Sequence, residues 1–591
     1  MKIKQMVCLA LCLGLCLACN SGTISTASAA VIIDDEKNFK VIQPYDYTTN
    51  YSKVDGILYE THGEGLNKET LISKMEKNNI SDVTIQFELK EKFYETETYQ
   101  GIKSNRDSYL NHYDYLQDLR DACNEFYRSQ IKNMGQDFNF SHDDYYSSFY
   151  DISEHVFKNE HPYNALKKIT EIDKIENVIV SEKHEDVADG WFGSFYDETV
   201  KTINAVKSIT KDSRLLTGEG IKVGVSEVEM ESVKINCANH SNFTLDPSLG
   251  SGGNSCESHA HFVLSAITSM APDVQLYGAD STNSGINWLI QQNVSIINCS
   301  WGSEANLGQY CSREKYFDTL ALDNDVIFVF SAGNTSSINT DNQLTCPKSA
   351  YNIITVGATD SDGQQVASYS CYKTSANIGK PNLIANGTPH LLGSGVGNTF
   401  HLDQGTSYAA PLVTGAIAIL QNGSAALDFI AASATLAAAA NMNRITNPEG
   451  SNYAGFDKKA GAGMLDLDRA LFYTTEVRFA NFSVPSNKIV EEVDIWLYSG
   501  LPLKVCASWF AQPVDGQLLP TITNYDLRLL DSTGNVVASS SSSNNNQELL
   551  MFTPSVEGSY KIQLYMSSPS LDHFIDTGTI SYSYDFDSYY G

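Results

Sequence analysis

The chain has 591 residues, 42% of them hydrophobic and 10% aromatic, which makes it too long for a single domain core and too apolar for a disordered or collagen-like polymer. Its formal net charge of −30 repels phosphate backbones and anionic lipid, so nucleic acid is not an expected partner. An acidic surface does fit a soluble exported protein.

Residues 1–29 begin with Lys2 and Lys4, run through an apolar stretch from Met6 to Ala18, and close on the small residues Ala27, Ser28 and Ala29. That order predicts a secretory signal, with an apolar run too short for a comfortable membrane span. Cys19, after Leu17 and Ala18, offers the alternative of a cell-surface lipid anchor, although Cys16 stands where such signals prefer an aliphatic residue. No other segment reads as membrane-spanning. Beyond the signal lie Cys123, Cys237, Cys256, Cys299, Cys311, Cys346, Cys371 and Cys506. Disulfides are permitted outside the cell, and Cys237 with Cys256 or Cys311 with Cys346 would close loops of modest length; the pairing stays open. None has the CxxC spacing of a zinc site, and Cys299 within VSIINCSW reads as a buried thiol.

Residues 30–185 form a first region. DVTIQFELKEK, from Asp82, alternates as a strand does, and Asp107 to Lys132 is long, charged and periodic enough for a helix. After a tyrosine-rich stretch, residues 164–183 predict an amphipathic helix followed by the strand NVIVSEK. Together these elements make a small α+β unit.

Residues 186–475 form the second region. Between Gly218 and Gly415 the strands GIKVGVSE, DVQLYGA, VSIINCSW, VIFVFSAGN and NIITVGAT alternate with helical segments, which predicts a parallel sheet flanked by helices. Sites in such sheets form at the carboxyl ends of the strands. Residues 476–591 change to short strands and turns, as in NYDLRLLDSTGNVVASS and VEGSYKIQLYM, an all-β sandwich or jelly roll. Its SSSSSNNN tract reads as a loop at a turn, because strand-like sequence resumes with QELLMF.

The residues of greatest chemical interest lie in the second region. In DQGTSYAAPLV, residues 403–413, Gly405 permits a tight turn, Ser407 opens a helix and Pro411 suits a first helical turn. A hydroxyl there is either a nucleophile or, with Thr406, only a cap on a buried helix. GTSYAAPLVTG resembles the nucleophile motif of the subtilisin-like serine proteases, the subtilases, whose acid and histidine precede the serine in the chain. SHAHFVLSAI resembles the family's histidine motif and assigns His259 the catalytic position, with Ala260, His261, Phe262 and Ser265 departing from the usual residues. GEGIKVGVSEVEM resembles the strand ending at the catalytic aspartate, and the count from Gly220 puts Glu227 there, one methylene longer than aspartate.

By the same resemblance, Ser300, Trp301 and Gly302 in IINCSWG are the edge that binds the substrate backbone, and Trp301 either reshapes a pocket or fills the core. Asn334, at the end of VIFVFSAGN, takes the oxyanion position beside the backbone N–H of Ser407. The implied protein is a secreted serine endopeptidase acting on proteins or peptides through a Glu227–His259–Ser407 triad. The first region implies a propeptide, an intramolecular inhibitor, with cleavage falling between Val180 and Glu185. No cofactor is needed for the chemistry; the resemblance implies a structural calcium ion but assigns it no ligands.

Two other readings stand beside this one. A catalytically impaired relative would bind peptides or partners on the same scaffold, as the altered acid and histidine motif would allow. A sedolisin arrangement would use a glutamate and an aspartate in place of histidine, and His259 within its motif argues against it.

Overall fold

The structure is a computed structural model. It describes residues 51–60, 71–75, 83–109, 112–132, 147–151, 162–182, 187–188, 216–233, 242–253 and 258–585, except positions 55, 74, 361–362, 376–377, 389, 393–399, 403, 425–426, 452–453, 482–486, 515–516 and 569–575. The signal segment, Cys19, Cys237, Cys256 and the end of the expected cleavage window at 183–186 lie outside the described residues.

The first region forms a mixed five-stranded sheet in the order Tyr51–Val54, Ile57–Glu60, Ile175–Glu182, Val83–Leu89 and Phe149–Asp151. Val83–Leu89 buries Val83, Ile85 and Phe87 on one face, as its alternating sequence requires. The long helix starts at His112 rather than Asp107 and ends at Lys132, and the amphipathic helix spans Pro162–Thr170. Val180, one limit of the expected cleavage window, lies inside the strand Ile175–Glu182, paired with Ile85 on one side and Tyr59 on the other.

The second region is built on a seven-stranded parallel sheet in the order Leu383–Asn386, Ile354–Thr359, Ile327–Ser331, Ile296–Cys299, Lys222–Ser226, Gln275–Ala279 and Phe243–Leu245. Its central strands are buried throughout, which is why they read as continuous apolar runs rather than alternating ones. The outer strands Phe243–Leu245 and Leu383–Asn386 are additions to the sequence expectation, each too short to show a pattern. Helix Thr406–Gly423 is buried along nearly its whole length. It packs so closely on helix His259–Met270 that a Cβ at Gly415 would come within 2.9 Å of the Ile267 carbonyl oxygen.

The third region is a sandwich of two four-stranded antiparallel sheets. NYDLRLL alternates as expected, placing Tyr525, Leu527 and Leu529 in a core with Trp509, Leu564 and Ile580. The serine and asparagine tract differs from its reading as a plain loop: strand Val536–Ser541 takes the first serines, and the asparagines dock on the second region. Asn545 Oδ1 accepts from the Gly379 N–H at 2.6 Å, and Asn546 Nδ2 donates to the Tyr351 carbonyl at 3.2 Å.

Candidate active site

Strand order reverses around Lys222–Ser226, so the carboxyl ends of this strand and its neighbours open onto one crevice. Glu227 follows Lys222–Ser226, Ser300 follows Ile296–Cys299, and Asn334 lies three residues beyond Ile327–Ser331. The crevice is completed by two helix N-termini, which carry His259 and Ser407.

Glu227 is anchored by its N–H to the Ala279 carbonyl at 3.0 Å, and its Oε1 accepts from the Val228 N–H at 2.9 Å. The same Oε1 lies 3.5 Å from His259 Nδ1, with both side chains buried. The extra methylene of glutamate therefore still brings a carboxylate behind the imidazole. His259 is the first residue of its helix, capped by Ser258, whose Oγ accepts from the His261 N–H at 3.3 Å. Its ring packs against Tyr408, the residue after Ser407, with centroids 5.6 Å apart.

Ser407 is fully buried, and its Oγ donates to the Ser300 carbonyl at 3.1 Å. The Ser300 hydroxyl returns a bond of 2.9 Å to the Ser407 carbonyl. Pro411 explains why that carbonyl can accept it: proline sits one turn further in than the first-turn position read from the sequence, and has no N–H to offer the residue four before it. The helix-breaking residue thus frees an acceptor that ties the serine to the strand edge.

Asn334 Oδ1 accepts from both the N–H and the hydroxyl of Thr406 at 3.1 Å, which turns its amide nitrogen the other way. Thr406 Oγ1 also accepts from the Gly333 N–H at 3.1 Å. Thr406 is thus the clamp between the asparagine loop and the serine helix, a role the sequence reading missed because a threonine before a serine reads only as a cap.

Trp301 points into the core, where it packs on Phe317 and Phe330 and donates its indole N–H to the Ser226 carbonyl at 3.0 Å. Its contribution to the crevice is main chain. Trp301 and Gly302 pair antiparallel with Ala188 and Val187, so a short strand of the same chain, just beyond the first region, lies on the predicted substrate edge. Cys311 and Cys346 face each other with sulfurs 3.4 Å apart and unbonded. With Glu314 they are the described group able to hold a metal ion, and this thiol-rich set does not fit the oxygen ligands calcium requires.

The carboxyl edge of the parallel sheet thus carries a serine, a histidine and a carboxylate. Residues 253–463 match the subtilase family, Peptidase S8. The chain is similar to subtilisin DY of Bacillus licheniformis, 25% identical over 222 residues, covering 34% of this chain and 77% of that protein. It is also similar to fervidolysin of Fervidobacterium pennivorans, 31% identical over 157 residues, 24% of this chain and 22% of that protein, and to subtilisin E of Bacillus subtilis, 26% identical, of which it spans 60%. The crystal structure of fervidolysin, described as a keratinolytic enzyme related to subtilisin, aligns over 86% of this chain and 79% of that one at 16% identity and a TM-score of 0.46. Glu227 falls outside the matched stretch 253–463.

Proposed function

We propose that the protein is an exported serine endopeptidase whose Glu227, His259 and Ser407 form the triad. In the reaction, Ser407 Oγ bonds to a peptide carbonyl carbon as its proton passes to His259 Nε2. Collapse of the tetrahedral intermediate breaks the C–N bond, and the same proton leaves with the amine. Water then attacks the acyl-enzyme, giving its proton to His259, and the ester breaks to regenerate the serine hydroxyl. Glu227 holds the ring by Nδ1 and stabilises its cationic form, while Asn334 Nδ2 and the Ser407 N–H receive the oxyanion.

The observation that carries this reading is the 3.5 Å approach of Glu227 Oε1 to His259 Nδ1 at the N-terminus of a helix packed against the Ser407 helix. The ladder between Val187–Ala188 and Trp301–Gly302 supports an intramolecular inhibitor, since a strand of the same chain directly after the first region already pairs with that edge and excludes any other extended peptide. Casein hydrolysis by the purified protein, set beside its Ser407→Ala and Glu227→Gln variants, tests the reading. Activity in the wild type and loss in both variants is expected; equal activity in Ser407→Ala would overturn it.

A further inference from the structure

Cys311 and Cys346 take no part in the triad, yet both are buried with their sulfurs 3.4 Å apart, and they come from two elements that serve the crevice. Cys311 is the N-cap of helix Ser312–Asn324. Its N–H donates to Glu314 Oε2 at 3.0 Å, and the next N–H, of Ser312, donates to Glu60 of the first region at 2.8 Å. Cys346 exchanges both main-chain bonds with Ser303, the residue after Gly302, each at 2.9 Å, so it braces the substrate edge from behind. The chain between the two cysteines contains that helix, the central strand Ile327–Ser331 and Asn334.

We infer that Cys311 and Cys346 form a structural disulfide that ties the substrate edge to the helix against which the first region packs. The inference rests on the export in the reading above, not on the triad. Their sulfurs are already in contact, and bond formation asks for a further approach of about 1.4 Å. During folding outside the cell, the thiolate of one cysteine attacks a disulfide-bearing donor and releases one donor thiol; the second cysteine attacks the mixed disulfide and releases the other. The pair loses two electrons, and the donor is reduced to two thiols. A metal ion is the rival occupant of the same cluster. Two thiols and one carboxylate fall short of the four ligands of a closed zinc site, and Glu314 Oε2 already accepts from the Cys311 N–H and, at 3.6 Å, from the Cys346 thiol. The bridge closes one ring around the helix, the central strand and Asn334, which restricts the unfolded chain and holds both sides of the crevice to one brace.

The test is made on the full chain collected from the culture medium, denatured in an alkylating reagent without reductant and digested. The expected product is the Cys311 peptide joined to the Cys346 peptide, lighter by two hydrogens than the two apart and separated by a reductant. Both cysteines alkylated, or either joined to a different cysteine, overturns the inference. So do two alkylated cysteines in protein that carries one equivalent of zinc before denaturation, which would assign the cluster to a metal. A chain retained inside the cell overturns the export instead; the same chain folded in a mixture of oxidised and reduced glutathione then decides the pairing by itself. Serine is a favoured N-cap, so Cys311→Ser keeps the start of the helix. Cys311→Ser, Cys346→Ser and the double variant should each lower the melting temperature by the same amount, at least about 5 °C, because each removes the whole bridge. Losses that add in the double variant would mean two separately packed thiols and overturn the inference, and the wild-type peptide map decides even if the variants fail to fold.

Discussion

The parallel-sheet body is met in two places that differ in kind, by the first region itself and by the short strand Val187–Ala188 directly after it. Around helix Ser312–Asn324 the contact is made by side chains: Glu88 bonds Lys315 at 2.8 Å, Tyr127 donates to Asp323 at 2.8 Å, and Tyr115 to Asp325 at 2.8 Å. Arg120 reaches the Ile290 and Val294 carbonyls, and Glu60 accepts from the Ser312 N–H at 2.8 Å at the start of that helix. At Trp301–Gly302 the contact is a two-residue main-chain ladder. The side-chain surface is specific to this partner, because these buried polar groups are matched pair by pair across it. The ladder asks only for an extended backbone, so another extended peptide can replace it. One contact anchors the unit; the other is the one a substrate must displace.

The largest expected effect is on the chemistry at the ladder. Ser407→Ala should reduce peptide hydrolysis at least about ten-thousandfold and leave the first region attached, as read by initial rates and by intact mass. Glu227→Gln, which keeps the shape but loses the carboxylate charge, should lose a comparable factor, whereas Glu227→Asp, retracting the carboxylate by about 1 Å, should lose about a hundredfold. If Glu227→Gln retained full rate, the glutamate behind His259 would be scaffolding only.

The anchoring contact breaks differently. Glu88→Gln leaves the Lys315 and Lys92 ammoniums buried without their carboxylate, and should weaken docking by about 3–5 kcal/mol, measured as the thermal stability of the unprocessed chain, with no change in which peptides are cut. Asn334→Ala should act on turnover instead, lowering kcat by about a hundredfold to a thousandfold with docking unaffected.

A smaller, graded effect should follow pH. Burial opposes the charge on Glu88, but Lys315 and Lys92 outweigh it and hold the carboxyl down to about 2, from 4.5. A depressed acid contributes stability above its unfolded value and loses it as pH falls. Docking should therefore weaken between about 4.5 and about 2, and a pH titration of release by size exclusion should show that window. Release unaffected by acid would mean that the ladder, rather than the charged surface, holds the first region in place.

The same contrast explains what the sequence disclosed. The central strands and the serine helix were legible because burial on both sides leaves continuous apolar runs, and the residues of the crevice were legible through their motifs. Helix Ser312–Asn324 was not legible as a buried element. SREKYFDTLALDN has the composition of a solvent-facing helix, and Glu314, Lys315, Asp318 and Asp323 are buried only because another region of the chain and its neighbours supply their partners. Burial also pushes Glu314 up to about 7 and Asp318 up to about 6, against the hydrogen bonds each accepts. Thr406 was hidden for a related reason: its role depends on Gly333 and Asn334, dozens of positions away, and it carries no local pattern. Trp301 was read as either pocket or core, and its indole bond to Ser226 shows that side chain in the core.

The central claim is that His259, backed by Glu227, makes Ser407 reactive. Its most direct test is mass spectrometry of the peptide containing Ser407 after exposure to a fluorophosphonate. The account predicts a stoichiometric adduct on Ser407 in the wild type, none in Ser407→Ala, and labelling slowed at least about ten-thousandfold in His259→Ala. An adduct forming at the wild-type rate in His259→Ala, or no adduct in folded, processed wild type, would contradict it.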